Sequence, residues 1–453
     1  MRVVFNLQEA NSRGRELSTV LRKVGRLPEA EFLTHSSMKQ VEASFHNATT
    51  EEQYSGLTNP FWDLIRDCSH TVQAALTKNT ITKDLSLDNG KRPIVFAFKD
   101  GVGAIAEVTI NGNNLDFHAI NIDKGGLASN TAEALVKLGS EVSYGSIHGR
   151  GEIATLHEAL LLSVGINPVK LIDSGRDAYI HPGILFLDDK SEYWFVQKRL
   201  PVTAEILDRF TECLKEASRT NYGEALVLSS LPQNETDSDY FAELSKVGAS
   251  NDNVIFYNPK QYDKIRGSST SLFKNGIVDF LKPNMIEFVQ FLRFAGLIQD
   301  SDFAEKSKIS DLKHQIKLGQ DSKTVKHFNE TVQLARKLMD EYNLNIRIML
   351  ISFSENGSLI ITPRNAAYVS APNINLQCSS GAGDSGLAHV IVVAKKNKIN
   401  LHNEPNDVDI TQLAEAFNYA ASATASLPGD QIADLRLIKD LRASQKLIVL
   451  NLD

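Results

Sequence analysis

Residues 130 to 164 read NTAEALVKLGSEVSYGSIHGRGEIATLHEALLLSV, and this stretch decides the fold. Asn130 to Leu138 reads as a helix, Glu141 to Ile147 as a strand and Ile153 to Val164 as a second helix. Strands alternating with helices call for parallel strands joined by crossover helices, because a parallel pair cannot be closed by a tight turn. Working outward, Pro93 to Phe98 is a strongly apolar run of strand length. Further strands are expected at Ala225 to Leu228, Asn253 to Tyr257, Val278 to Leu281, Ile346 to Ser352 and Ser358 to Thr362. Two hairpins interrupt the series. Val108 to Ile122 alternates around Asn111-Gly112-Asn113-Asn114, and Tyr179 to Leu187 faces Glu192 to Gln197 across Asp188-Asp189-Lys190. The expectation is an α/β fold: a doubly wound, mostly parallel sheet flanked by helices, with a small sheet standing off it.

The texture before Arg92 is different. After a short strand expected at Val3 to Leu7, amphipathic helical patterns alternate with polar stretches. The clearest starts at Asn59 and Pro60, a cap and a first-turn proline, and sets Phe61, Leu64, Ile65, Cys68, Val72, Ala75 and Leu76 on one face. Thr80 to Arg92 reads as a linker. The expected division is therefore a mainly helical extension over residues 1–90 and one α/β domain over 91–453.

Composition excludes several classes. The 453 residues are 42% hydrophobic and 23% charged, as in ordinary globular chains. A net charge of −7 offers no basic field for a nucleic-acid backbone. Cys68, Cys213 and Cys378 are odd in number and far apart, so neither a disulfide framework nor a zinc set is encoded. No apolar run of about 18 residues and no signal peptide is seen. The expectations are no membrane partner and a cytoplasmic location.

Three segments invite a chemical reading. Gly101-Val102-Gly103-Ala104-Ile105-Ala106 has the spacing of a dinucleotide fingerprint, but that needs a helix at the glycines, and here the chain runs into a hairpin. Gly383-Asp384-Ser385-Gly386 has the residues of a serine-protease nucleophile segment, yet it leads into a helix of a non-secreted α/β chain. Read with its flanks, Gly381-Ala382-Gly383-Asp384 opens a helix carrying Leu387, Ala388 and Ile391 on its apolar face. Bare amides at a helix N-terminus form an anion pocket, and Asp384 beside it would accept a hydroxyl proton. A glycine turn with an N-cap Asp explains the same spacing. Asn284 and Glu287 likewise share one face of a helix start, suited either to Mg²⁺ and its waters or, more commonly, to a capping box.

Five segments in order then resemble the ribokinase or PfkB family of carbohydrate kinases, nearest the 1-phosphofructokinase branch, over about Arg92 to Asp440. They are Gly125-Gly126-Leu127-Ala128-Ser129-Asn130 with Ala134 to Gly139, Ser230-Leu231-Pro232, Lys282-Pro283-Asn284-Met285-Ile286-Glu287, Ser352-Phe353-Ser354-Glu355-Asn356-Gly357, and Gly381 to Asp384. The resemblance implies an ATP-dependent phosphotransferase acting on a hydroxyl of a sugar or sugar phosphate. Asp384 would be the general base, with the amides of Gly381, Ala382 and Gly383 as the anion hole. Asn284 and Glu287 would organise Mg²⁺ through water. Ser352, Ser354 and Gly357 would line the nucleotide site, under a cover formed by the helix Leu413 to Ala425. Gly125, Gly126, Asn130 and Arg176 would meet the acceptor. The hairpins, within about 104–124 and 178–198, would form a lid through which a homodimer could assemble.

The departures concentrate on the acceptor side. Leu127 and Ala128 stand where that branch has Lys and Gly, so a cation suited to a substrate phosphate is missing. Gly103 or Ala106 stands where the family usually has an Asp for sugar hydroxyls, Gly149-Arg150 replaces a Gly-Asp, and Ser354 replaces a glycine of the nucleotide loop. Alternatives within this reading are a non-catalytic ligand sensor or assembly subunit, a nucleoside or vitamin kinase, and an ADP-dependent enzyme.

Overall fold

The computed structural model describes residues 3–6, 91–97, 101–111, 114–149, 152–166, 168–173, 179–188, 192–194, 203–229, 235–259, 268–298, 322–343, 345–428 and 431–452. In chain order, the first elements are β1 (Val3–Asn6), β2 (Ile94–Ala97), β3 (Gly101–Asn111), β4 (Asn114–Gly125), α1 (Leu127–Lys137), β5 (Ser143–His148), α2 (Glu152–Ser163), β6 (Pro168–Asp173), β7 (Tyr179–Phe186) and β8 (Glu192–Trp194). Then follow α3 (Ala204–Thr220), β9 (Ala225–Ser229), α4 (Glu235–Ala249), β10 (Val254–Asn258), α5 (Ser268–Asn275), β11 (Val278–Leu281), α6 (Met285–Phe294) and α7 (Ser322–Glu341). The C-terminal part holds β12 (Ile346–Ser352), β13 (Ser358–Ile361), β14 (Ala366–Val369), α8 (Ala382–Asn397), α9 (Asp407–Ala425), α10 (Leu435–Ser444) and β15 (Val449–Leu452).

The main sheet has ten strands in the order β15-β14-β13-β12-β11-β10-β9-β2-β5-β6. From β6 to β12 every neighbouring pair is parallel, and β13, β14 and β15 add an antiparallel edge. The parallel strands are buried on both faces, which is why β9 reads as a nearly continuous apolar run rather than an alternating one, and why even Asp279 in β11 is buried. One face packs Phe210, Leu244, Phe273, Phe288 and Leu338 from α3 to α7. The other packs Leu135, Leu387, Ile391, Leu413 and Phe417 from α1, α8 and α9. The buried apolar side chains of the strands thus divide between two cores, and the α1/α8/α9 face is the one that carries the candidate site.

The expected hairpins form a separate five-stranded sheet, β1-β4-β3-β7-β8. β3 pairs antiparallel with β4 and parallel with β7, so the hairpins are joined edge to edge. The glycines of Gly101 to Ala106 lie inside β3, as the hairpin reading required. The strand expected near the N-terminus is present as Val3–Asn6 and pairs with β4. The helical patterns of residues 7–90, including the Asn59 helix, lie outside the described residues, as do Arg150, Arg176 and Ser230 to Pro232. Among the described residues, Cys213 is half-buried and Cys378 buried, and no disulfide joins them. Among the described residues no helix is long and apolar enough to cross a membrane.

Candidate active site

The parallel strands end beneath the N-termini of α1 and α8, and polar side chains collect there. Strand β10 is an apolar run that closes on a polar residue, Asn258. Its in-register neighbour on β9 is Ser229, fully buried. Lys282 follows β11 directly and is also buried. Polar groups at carboxyl ends of parallel strands are where a doubly wound sheet places its ligands.

Helix α8 starts at Gly381, which has φ 71°, a left-handed conformation that costs a side-chain residue free energy. The N-cap is therefore Gly381 and not Asp384, which sits within the first turn and is only 3% exposed. This corrects the alternative in which Asp384 merely caps its own helix. Its carboxylate is instead held by two amides from other elements. Asn258 Nδ2 donates to Oδ1 at 2.8 Å, and Asn130 Nδ2 donates to Oδ2 at 3.2 Å.

The glycines beside Asp384 are shaped by close neighbours. A Cβ on Gly383 would lie 2.5 Å from Lys282 Nζ, and one on Gly381 would lie 2.8 Å from Ile432 Cδ1. Of the three amides expected to form the anion hole, that of Ala382 donates to Ser379 O at 3.3 Å. Among the described residues, no backbone carbonyl accepts from the amides of Gly381 or Gly383. The Lys282 ammonium beside Gly383 adds a fixed positive charge to the positive end of the helix. Lys282 also donates to Asn258 Oδ1 at 3.4 Å and lies 6.0 Å from the centre of the Phe417 ring.

Asn284 and Glu287 form a complete capping box at the start of α6: Glu287 N donates to Asn284 Oδ1 at 2.9 Å, and Asn284 N donates to Glu287 Oε2 at 2.7 Å. Burial pushes the Glu287 carboxyl up to about 7, against the opposing pull of Lys282 and the Asn284 amide, with Asp384 adding repulsion. That mutual effect places Glu287, Lys282 and Asp384 in one electrostatic cluster. Asn284 forms a parallel bridge with Ser352, which joins the end of β12 to the same place. The turn after Ser352 has Ser354 at φ 52° and Gly357 at φ 102°, so Ser354 holds a backbone conformation that favours glycine. A Cβ on Gly357 would lie 2.1 Å from Val369 O.

Where the resemblance places the acceptor, α1 begins at Leu127, earlier than the sequence suggested, with Gly126 at φ 112° as its N-cap. Asn130 consequently lies in the helix, its amide aimed at Asp384. Lys124, the penultimate residue of β4, is fully buried. It donates to Asn130 Oδ1 at 3.0 Å and pairs with Glu133 Oε2 at 2.6 Å. Lys124, Asn258, Lys282 as a site residue, and Glu133 were missed in the sequence. Two signals were available: a lysine abutting the paired glycines, and a polar residue ending an apolar strand.

One carboxylate, two glycine amides and a buried ammonium at a helix N-terminus suit transfer of an anionic group to an alcohol. Residues 104–435 match the pfkB family of carbohydrate kinases, a span that takes in most of the small sheet, α1, the strand ends around Asn258 and Lys282, and α8. The chain belongs to that family. Phosphofructokinase-2 from Escherichia coli in complex with fructose-6-phosphate superposes with a TM-score of 0.57 at 15% identity, over 78% of this chain and 99% of that one. The tetrameric inhibited form of the same enzyme gives 0.56 at 15% identity, over 78% and 99%. A possible 1-phosphofructokinase from Thermotoga maritima gives 0.55 at 14% identity, over 80% and 100%. At such identities these likenesses speak for the fold. No curated protein sequence matches the chain.

Proposed function

We propose that this pfkB-family enzyme transfers the terminal phosphoryl group of ATP to a hydroxyl of a sugar or sugar phosphate, with Asp384 as general base. The observation that carries the reading is the juxtaposition of a buried carboxylate with the Gly383 amide and the Lys282 ammonium at one helix start. Two amide donors hold the Asp384 carboxylate in place and leave it acceptor capacity for the proton of an incoming alcohol. As the O–P bond to the acceptor forms and the bond to ADP breaks, charge on the phosphoryl oxygens meets the free amides and Lys282 without reorganisation. The nucleotide would lie along Ser352, Ser354 and Gly357, with α9 as its cover, and the acceptor against Gly125, Gly126, Asn130 and Arg176.

Magnesium would be held through water by Asn284 and Glu287. The donor set fits this role: two side-chain oxygens, each already accepting one backbone N–H, suit an ion that keeps most of its water. When bound, the ion supplies charge neutralisation on the phosphates.

The test is a panel of sugars, sugar phosphates and nucleosides offered with ATP or ADP, read by nucleotide turnover, on the wild type and on Asp384→Asn. Wild-type turnover should fall by about 10² to 10⁴ in the variant, with the unfolding transition in place. Full activity of Asp384→Asn on a genuine acceptor would remove the base. Ligand-induced thermal shifts without turnover would instead mark a binding protein on the same fold.

A further inference from the structure

The base is aimed by two lysines acting through two asparagines. A lysine ammonium only donates and an ionised carboxylate only accepts. An asparagine between them therefore has one orientation, with its oxygen toward the lysine and its NH₂ toward the carboxylate. This is the arrangement at Asn130, between Lys124 and Asp384 Oδ2, and at Asn258, between Lys282 and Asp384 Oδ1.

The Lys124 arm differs in origin, because it comes from the lid. Lys124 belongs to β4, whereas Asn130 lies on α1 and Asp384 on α8. Its charge is balanced by Glu133, itself pinned by Lys137 at 2.8 Å, and Lys137 also donates to Ile432 O at 2.7 Å beside Gly381. Burial raises the Glu133 carboxyl, but Lys124 and Lys137 more than reverse this and leave it below its ordinary value, so the pair is ionic. A buried ion pair is a poor source of stability, since desolvating both charges cancels most of their attraction. What this one delivers is direction: a donor at a fixed point, on a lid strand, one residue before the glycines of the acceptor loop.

We propose that Lys124, anchored by Glu133, is a positioning residue that fixes the Asn130 amide and thereby the aim of the Asp384 carboxylate, so that placement of the lid strand and readiness of the base are one event. This rests on the kinase reading for its catalytic consequence, but not for the amide orientation itself. Among the described residues, charged groups near Asp384 include Lys282 after β11 and Glu287 on α6, with Lys124 and Glu133 one asparagine away; α9 faces the start of α8 with Phe417 and Ala420.

The test uses the full chain with Lys124→Met combined with Glu133→Gln, which removes both charges at similar volume, together with Lys124→Arg. The double variant should lose about 10-fold to 100-fold in kcat with little change in KM for ATP. The acid limb of its kcat profile should move to higher pH, because Asp384 has lost an assured donor. Lys124→Arg, which keeps a cationic donor, should recover most of the loss. A kcat and acid limb within twofold of wild type in the double variant would overturn the proposal. A readout independent of turnover is the side-chain NH₂ of Asn130 in asparagine-labelled protein, assigned by its absence in Asn130→Ser. In the wild type it should exchange slowly with solvent. Fast exchange there overturns the orientation even if the double variant does not fold, while slow exchange in a wild type without turnover leaves the orientation standing and removes only the kinase reading.

Discussion

Two glycines three residues apart on α8 separate function from stability. A methyl group at Gly383 would meet Lys282 Nζ at 2.5 Å and Cε at 3.3 Å, the far end of a flexible side chain. A methyl group at Gly386 would meet Phe417 Cδ2 at 2.5 Å, Cε2 at 2.6 Å and the Phe417 carbonyl at 3.0 Å, a ring and a backbone that cannot swing away. In Gly383→Ala, the helix gains about 1 kcal/mol from propensity, and displacing Lys282 from its long bond to Asn258 costs about 1 kcal/mol. The net change in stability should therefore be within about 1 kcal/mol of zero. Turnover should nevertheless fall by about 10² to 10³, the usual loss of one anion-stabilising donor. Gly386→Ala should behave in the opposite way. Overpacking of about 1–3 kcal/mol, less the same propensity gain, leaves it destabilised by about 1–2 kcal/mol. Its folded fraction should turn over normally. Urea unfolding and initial rates of ADP release on both variants read the contrast. A Gly383→Ala protein that keeps its rate and loses 2 kcal/mol or more, on the order of an overpacked core, would refute the placement of Lys282 at the anion pocket.

Other outcomes follow from the same geometry. Glu287, raised from 4.5 to about 7 by burial, binds its proton more tightly in the folded state, so the stability it contributes is complete below pH 4.5 and is lost as pH rises through 7. In metal-free buffer the difference amounts to about 3 kcal/mol, and Glu287→Gln should flatten the pH dependence of the urea midpoint between pH 5 and 8; parallel curves for the two proteins would exclude it. Ser354 pays for its φ of 52°, and Ser354→Gly should change stability by between zero and about +1 kcal/mol, the relief offset by glycine's freedom in the unfolded chain; a lower melting temperature would count against the strain. Gly357→Ala, whose methyl group would lie 2.1 Å from Val369 O and 2.8 Å from Ala371 N, should destabilise by at least about 2 kcal/mol in the same melting assay, and a wild-type transition would show that the turn can open.

How far the sequence carried depends on whether a feature is local. The parallel strands were legible because most are short, predominantly apolar runs bounded by turn residues; Val278–Leu281 and Ile346–Ser352, despite Asp279 and Arg347, fell where the pattern put them. Pro168–Asp173, Ala366–Val369 and Val449–Leu452 were missed. The first begins on a proline, and the others sit at or near an antiparallel edge where pairing partners, rather than propensity, define the strand. The helix start at Gly381 and the Asn284/Glu287 pair were visible as local motifs, and the capping box is present. Whether the box also serves Mg²⁺ is a matter of what binds over it, which no spacing rule contains.

The residues around Asp384 show the sharper limit. Asn130, Asn258 and Lys282 come from α1, β10 and the loop after β11, and they are separated from Asp384 by 254, 126 and about a hundred residues. Long-range convergence of this kind leaves no periodic trace. The absent lysine at Leu127 was read as a cation lost from the acceptor side, yet Lys124, three positions earlier, brings an ammonium to the same loop and spends it on Glu133 and Asn130. The two lysines are therefore not equivalent: a cation on an exposed loop meets a substrate phosphate, whereas one wholly buried and paired can only orient its neighbours. If an acceptor phosphate is recognised, its cation has to come from elsewhere, so an acceptor panel graded by phosphorylation state, run on wild type and on Arg176→Ala, separates the cases. Preference for a phosphorylated acceptor that collapses in the variant assigns the role to Arg176; equal turnover of free and phosphorylated sugars would mean that the change at Leu127 altered the substrate class itself.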